Sequence, residues 1–286
     1  MNPDTACSTD QWSLLTSAPS TSQLAGVLGG FLITAIALLF DRNTREGVHT
    51  LALFSCAVLV LMLDSFVFSL ISGTTVPEVG DRLGICAVAW TQGIAATGML
   101  AAGTTALFGG LAWMLASHVV NKFPGQTDDD DQDARAYCFL AVLGSWLTFA
   151  AAMSTTLIMS ETTIDYLSFM YRGRQAPWAI TMVIAAAAVV VLVDVRLVAV
   201  RSLRLRRSLV NPAESTLLAM RSIRFATVSM LVLAILASAL AGSASRIPEE
   251  FLTAPHVGVV LTGIVAGFVL PAVVTTAICY SVPSTG

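Results

Sequence analysis

One acidic residue stands deep inside a long apolar stretch of the chain. Asp64 lies in the segment Leu61 to Phe66, and no lysine or arginine occurs at a comparable depth in the apolar stretches. An aspartate at the centre of a bilayer costs roughly 2.5–3.5 kcal/mol on insertion scales, so it normally faces the protein interior and marks an ion pathway, a proton relay or a counter-ion. With no cation nearby, its charge must be met by a proton, a metal ion, a cationic ligand or hydrogen bonds. A neutral aspartic acid that bonds two helices together is the structural alternative.

Counting along helices gives this carboxyl its expected neighbours. Asp64 lies about eight residues from the outer end of its stretch, and Trp90 and Gln92 lie about seven to nine residues from the outer end of the next. At 1.5 Å per residue, all three are roughly 10–14 Å from the outer surface. We expect Gln92, Trp90 and Ser65 to surround Asp64, with Ser69 in the same polar pocket.

Hydroxyl side chains also recur at helical spacing in a later apolar stretch. Ser145, Thr148 and Thr155 follow one face and are candidates to line a polar vestibule open to the outside. Serine and threonine in membranes often hydrogen-bond their own helix, so packing is the alternative.

The elements that carry these residues are predicted to be membrane-spanning helices. The chain has 286 residues, of which 56% are hydrophobic and only 12% charged, with a mean hydropathy of +0.79. A soluble domain holds about a quarter of its residues as charged side chains. Seven stretches are long enough for a bilayer core of about 30 Å, and only helices satisfy a lone backbone there. The predicted spans are Ser22 to Phe40, Thr50 to Ile71, Leu83 to Leu115, Tyr137 to Met159, Pro177 to Val195, Phe225 to Ala244 and Pro255 to Tyr280.

The basic residues predict the orientation of this all-α, polytopic seven-helix bundle. With the amino terminus outside, only four of the fifteen basic residues face outward, and these are Arg82, Arg172, Arg174 and Arg246. Because lysine and arginine prefer cytoplasmic connections, we expect an outside leader 1–21, a transmembrane domain 22–280 and a cytoplasmic tail 281–286. A multi-pass protein of a bacterial plasma membrane fits this pattern.

The small residues of the spans predict close helix packing. Gly26 and Gly30 in the first span, and Gly263 and Gly267 in the seventh, are pairs that allow two helix backbones to approach closely. Pro271 removes one hydrogen bond from the seventh span, which predicts a kink in that helix.

One cytoplasmic connection is rich in arginine. Arg201, Arg204, Arg206 and Arg207 alternate with aliphatic residues, so a helix there places its leucines at the membrane interface and its arginines on anionic lipid head groups. Each cation contributes about 1 kcal/mol near an anionic leaflet. The alternative is that the arginines serve only to fix the topology.

The remaining residue types limit the function. Cys7 and Cys86 both fall on the predicted outer side, where a disulfide could persist. The five cysteines and three histidines are scattered without metal-ligand spacing, so we expect no metal and no cofactor. Fifteen basic against eighteen acidic residues argue against nucleic acid as a partner.

These observations favour a channel, transporter or transport subunit whose outer-leaflet site holds a proton, a cation or a small cationic ligand. The alternative is a receptor or assembly subunit, a homo-oligomer or partner of another membrane protein, that docks through its glycine faces, the acidic segment 128–133 or the basic segment 196–207. No nucleophile and base pair stands out, so we do not expect an enzyme.

Overall fold

A computed structural model of the chain describes residues 7–9, 12–39, 45–76, 82–122, 131–172, 177–210, 221–244, 246 and 257–283. These residues are helical almost throughout and contain no β-strand, which confirms the predicted all-α class. The helices are α1 (Leu14–Leu39), α2 (Arg45–Ser72), α3 (Arg82–Lys122), α4 (Asp131–Met170), α5 (Pro177–Val210), α6 (Arg221–Ala244), α7 (Val257–Ile264) and α8 (Leu270–Ser281), with a π-helical turn (Val265–Val269) joining the last two.

Seven helices of this part of the chain are long and apolar enough to cross a membrane, as predicted. Counted as one span, α7, the π-helical turn and α8 form the seventh. α1 begins at Leu14, inside the predicted leader, and α4 continues to Met170, well beyond the predicted end of its span. The acidic segment begins with residues 128–130, which lie outside the described residues.

α3 is the central helix of the bundle. It contacts α1, α2, α4, α6 and the seventh span. The apolar window of α3 is 61% buried, against 17% for α1 and 22% for α5, so the last two helices lie at the periphery. The end of the bundle that carries Cys7 and the start of α3 is called the leader end below, and the end that carries Ser281 is called the tail end.

Glycines of α3 bring its neighbours close. A Cβ atom at Gly110 would lie 2.0 Å from a ring carbon of Phe54, and one at Gly103 would lie 2.7 Å from the Leu61 side chain, both on α2. Gly30 on α1, by contrast, has no atom within 4 Å of such a position. The close approach is therefore between α3 and α2. Of the predicted packing pair Gly26 and Gly30 on α1, Gly30 faces outward.

We expect Gly110→Ala to destabilise the protein by about 1–3 kcal/mol, because the added methyl group overlaps the Phe54 ring in a packed interface. Gly30→Ala is the matched control, since its methyl group meets open space. Unfolding in detergent, followed by circular dichroism, measures the difference. Equal stability of the two variants would show that α2 and α3 are not packed in this way.

A π-helical turn precedes Pro271, at which the sequence predicted a kink. Pro271 occupies the first turn of α8, where a missing backbone N–H is tolerated. The widened turn lies against α3, because a Cβ atom at Gly98 would be 2.4 Å from Pro271, and one at Gly267 would be 2.3 Å from Ile94. This part of the seventh span is therefore tightly packed.

Candidate functional site

Asp64 is fully buried on α2, about two turns before the helix ends at Ser72. Its exposed fraction is 0%, and neither carboxyl oxygen has a hydrogen-bond partner among the described residues. The hydrophobic core that α2, α3 and α6 share contains Leu61, Phe68, Met99 and Leu233. Asp64 is thus a polar group in apolar surroundings, which is the least favourable way to bury a carboxyl.

The register of α2 shows where the carboxyl points. Leu61 faces Gly103 of α3, and the Ser65 hydroxyl lies 3.2 Å from that of Ser22 on α1. At about 3.6 residues per turn, Asp64 lies roughly 60° from Leu61, on the side away from Ser65. Since α2 also packs against α6, the carboxyl points toward the groove between α3 and α6.

Trp90 does not lie beside Asp64, which corrects the expected shell. Its indole nitrogen donates a hydrogen bond of 3.0 Å to the backbone oxygen of Cys7. Its ring stacks on Phe169 with centroids 5.8 Å apart and meets the edge of Trp12 at 5.9 Å. Trp90 therefore belongs to an aromatic cluster at the leader end.

Gln92 is also engaged elsewhere. Its amide nitrogen donates a 2.9 Å hydrogen bond to the backbone oxygen of Ala241, near the end of α6. Because Leu61 faces Gly103, Asp64 stands level with about residue 100 of α3, roughly 12 Å along the helix from Gln92. The depth estimate was wrong because the start of α3 overhangs the end of α2 at the leader end.

The two serines of the expected shell do not reach the carboxyl either. Ser65 donates to the backbone oxygen of Ser22 at 2.9 Å, and Ser22 donates in return to the backbone oxygen of Ser65 at 2.9 Å. This reciprocal pair binds α1 to α2. Ser69 is exposed on the surface of the bundle.

The hydroxyls of α4 bond mainly to their own helix. Thr148 and Thr155 donate to the backbone oxygens of Gly144 and Ala151, both at 2.9 Å, and Ser145 donates to its own helix at 3.4 Å. Such bonds satisfy the hydroxyl locally and leave no free donor for a ligand. The packing interpretation therefore fits these residues better than a polar vestibule.

A second buried carboxyl, which the sequence reasoning missed, lies on α5. Asp194 is 1% exposed, and both of its oxygens lack a hydrogen-bond partner among the described residues. It lies near Thr276 and Cys279 of α8. Asp194 is the penultimate residue of the predicted fifth span, so Asp64 alone was identified as an acid well inside a span. α5 in fact continues to Val210, and Asp194 lies within the membrane-spanning part.

The arginine-rich segment is the last part of α5. Arg201 is not a free cation, because its guanidinium donates to the backbone oxygen of Tyr280, donates to that of Val282 at 3.0 Å and lies 4.3 Å above the Tyr280 ring. It thereby caps the end of α8, where backbone oxygens lack helical partners. Arg204 and Arg206 are exposed, and the side chain of Arg207 is outside the described part of α5.

The leader is tied to α3 at the other end of the bundle. Cys7 and Cys86 form a disulfide with their Cα atoms 5.1 Å apart, while Cys56 and Cys279 are free and buried. The bond holds the leader over Trp90, whose indole nitrogen bonds to Cys7. The leader end is therefore covered by a covalently fixed segment.

No protein-family model, curated protein or solved structure matches the chain. The class is defined by the fold: an all-helical, multi-pass membrane protein with seven apolar helices. Within the described residues it buries two carboxyls, Asp64 on α2 with no hydrogen-bond partner there and Asp194 on α5 beside the Thr276 hydroxyl.

Proposed function

We propose that the chain is a plasma-membrane channel, transporter or transport subunit that moves protons, and that Asp64 carries the proton in the outer half of the membrane. The observation that carries this proposal is the burial of the Asp64 carboxyl with no hydrogen-bond partner among the described residues. An unpaired charge there would cost several kcal/mol, so the site is stable only when a cation neutralises it. Ionisable residues inside a membrane are costly, and in known membrane proteins they mark ion pathways, proton relays or counter-ions.

A proton suits this site better than a metal ion or an organic cation. Ca²⁺ takes six to eight oxygen ligands and Mg²⁺ demands a nearly ideal octahedron. Trp90 and Gln92, which were expected to bind a cation together with Asp64, form hydrogen bonds at the leader end instead. A proton needs no ligand beyond the carboxyl itself.

Asp194 supports the proposal from the tail half of the bundle. It is a second buried acid, on a different helix and close to the opposite end of the membrane-spanning part, with the Thr276 hydroxyl of α8 beside it. Chains of acidic side chains are common in proton relays. Asp64 would exchange its proton with the outer side and Asp194 with the inner side, and the conformation described is the closed one, in which both groups are dry.

The purified protein in liposomes, with a pH-sensitive dye inside, tests this proposal directly. An imposed pH gradient with valinomycin and K⁺ should collapse faster than in protein-free liposomes. A collapse at the rate of protein-free liposomes, with the protein shown to be folded and inserted, contradicts the proposal.

A non-transporting receptor or assembly subunit is the second candidate, favoured by one observation. Gly30 faces outward on the peripheral helix α1, with no atom within 4 Å of a Cβ placed there. A small residue on an outer helix face allows a second helix to pack closely against it. A copurifying membrane protein that is lost in Gly30→Leu, together with absent proton flux, would favour this alternative.

A further inference from the structure

A groove with charged and apolar walls runs along the outer face of α5 toward the tail end. It is open, has a volume of about 480 Å³ and is closed on one side by the ring of Tyr280. Val193, Leu197 and Val200 form the apolar part of its wall, and Arg196 and Arg204 lie among them at intervals of about one helical turn. The groove is therefore amphipathic along its length.

Two cations in this groove are available to a ligand. Arg201 also lines the groove, but its guanidinium is engaged by the end of α8 and holds the Tyr280 ring in place. Arg196 and Arg204 are exposed and have no acidic partner among the described residues. Arg206 is exposed as well but does not line the groove.

The depth of the groove matches one surface of a bilayer. Trp178, which is 70% exposed at the start of α5, marks the opposite interface, where tryptophan is enriched. Arg196 lies about 18 residues further along, or roughly 27 Å, close to the thickness of about 30 Å for a hydrocarbon core. Val193 would then contact acyl chains, whereas Arg196 and Arg204 reach the head groups.

We propose that this groove binds one anionic phospholipid of the leaflet at the tail end. Arg196 and Arg204 hold the anionic headgroup, Leu197 and Val200 pack on the glycerol and ester region between them, and one acyl chain begins at Val193. Arg201 is a positioning residue, because it fixes Tyr280 as the side wall. The proposed pair differs from the expected lipid-binding set of Arg201, Arg204, Arg206 and Arg207, and the proposal does not depend on proton transport.

A lipid fits better than a soluble anion because cations and an apolar row share the same wall. Inorganic phosphate can bind the arginines but makes no apolar contact with Val193, Leu197 and Val200. A phospholipid contacts both the charged and the apolar part of the wall. Two arginines without an acidic partner favour an anionic headgroup over a zwitterionic one, since each adds a factor of about five near an anionic surface.

Native mass spectrometry of the detergent-solubilised protein with added phosphatidylglycerol tests the proposal. We expect one tightly retained phosphatidylglycerol, no comparable retention of phosphatidylcholine, and no displacement by millimolar inorganic phosphate. The double variant Arg196→Gln with Arg204→Gln should weaken retention about 30-fold, because two cations are lost. Replacing the same two residues by lysine keeps their charge and should preserve retention within about threefold.

Arg224→Gln with Arg246→Gln is the matched control, because it removes the same charge at exposed positions that do not line the groove. Retention in this control should equal that of the unaltered protein. An equal loss in control and groove variants would reduce the effect to general surface charge and overturn the proposal. Unchanged retention in the groove variant, or displacement of the lipid by phosphate, would overturn it as well.

Discussion

Replacing Asp64 by asparagine is expected to lower the proton flux of reconstituted liposomes about 100-fold, the low end of what a positioned proton-transferring group contributes. Asparagine has nearly the same shape but cannot release or accept a proton in this range. The protein should unfold at the same or a higher temperature, because the substitution removes an acid that has no hydrogen-bond partner among the described residues. Lost flux with kept stability is the signature of a functional acid.

Glu161→Gln is the matched control for this variant. Glu161 is an exposed carboxylate on α4, so its neutralisation changes the net charge equally without touching the buried site. Its flux should remain within about twofold of the unaltered protein. If Asp64→Asn kept full flux, Asp64 would not carry the proton. If it lost both flux and several kcal/mol of stability, the acid would be a structural hydrogen-bonding residue.

The number of spans and the burial of Asp64 in the protein interior were predictable because both depend on local sequence. A run of about 20 apolar residues is enough to identify a membrane helix, and a lone acid within it is conspicuous. The all-helical class follows from the same runs, since a single segment in lipid must satisfy its own backbone.

The shell around Asp64 was not predictable because it depends on how far each helix is shifted along its neighbour. The prediction measured depth from the ends of the apolar runs, as if α2 and α3 ended at the same height. Packing of Leu61 on Gly103 sets a different register, in which Trp90 and Gln92 stand at the leader end. No local pattern encodes such a shift between helices.

Asp194 was missed, and Arg201 was assigned to lipid, because both lie where an apolar run meets a charged one. The run of arginines after Asp194 indicated the end of the span, although α5 continues for a further 16 residues or so beyond it. Arg201 was assigned to lipid, but the end of α8 offers backbone oxygens that bind it instead. The partner of a side chain near a helix end depends on which other helix ends beside it.

Breaking the bond between Cys7 and Cys86 is expected to have the second largest effect. The two residues are 79 apart in sequence, and a loop of this length contributes about 4 kcal/mol in the chain-entropy account. Because membrane helices persist in the unfolded chain, we expect Cys86→Ser to lower the free energy of unfolding by about 2–4 kcal/mol. The loss should also shift tryptophan fluorescence to the red, since the leader no longer covers Trp90.

Cys56→Ser removes a free thiol and should leave both stability and fluorescence nearly unchanged. The same bond predicts the orientation, because disulfides persist on the oxidising side of a plasma membrane. A cysteine placed at the exposed Thr75 of the leader end, in Thr75→Cys, should be labelled in intact cells by a maleimide that does not cross membranes, and the unaltered protein should stay unlabelled. Labelling only after the cells are permeabilised would place the leader inside, and the inner and outer roles of Asp64 and Asp194 would then exchange.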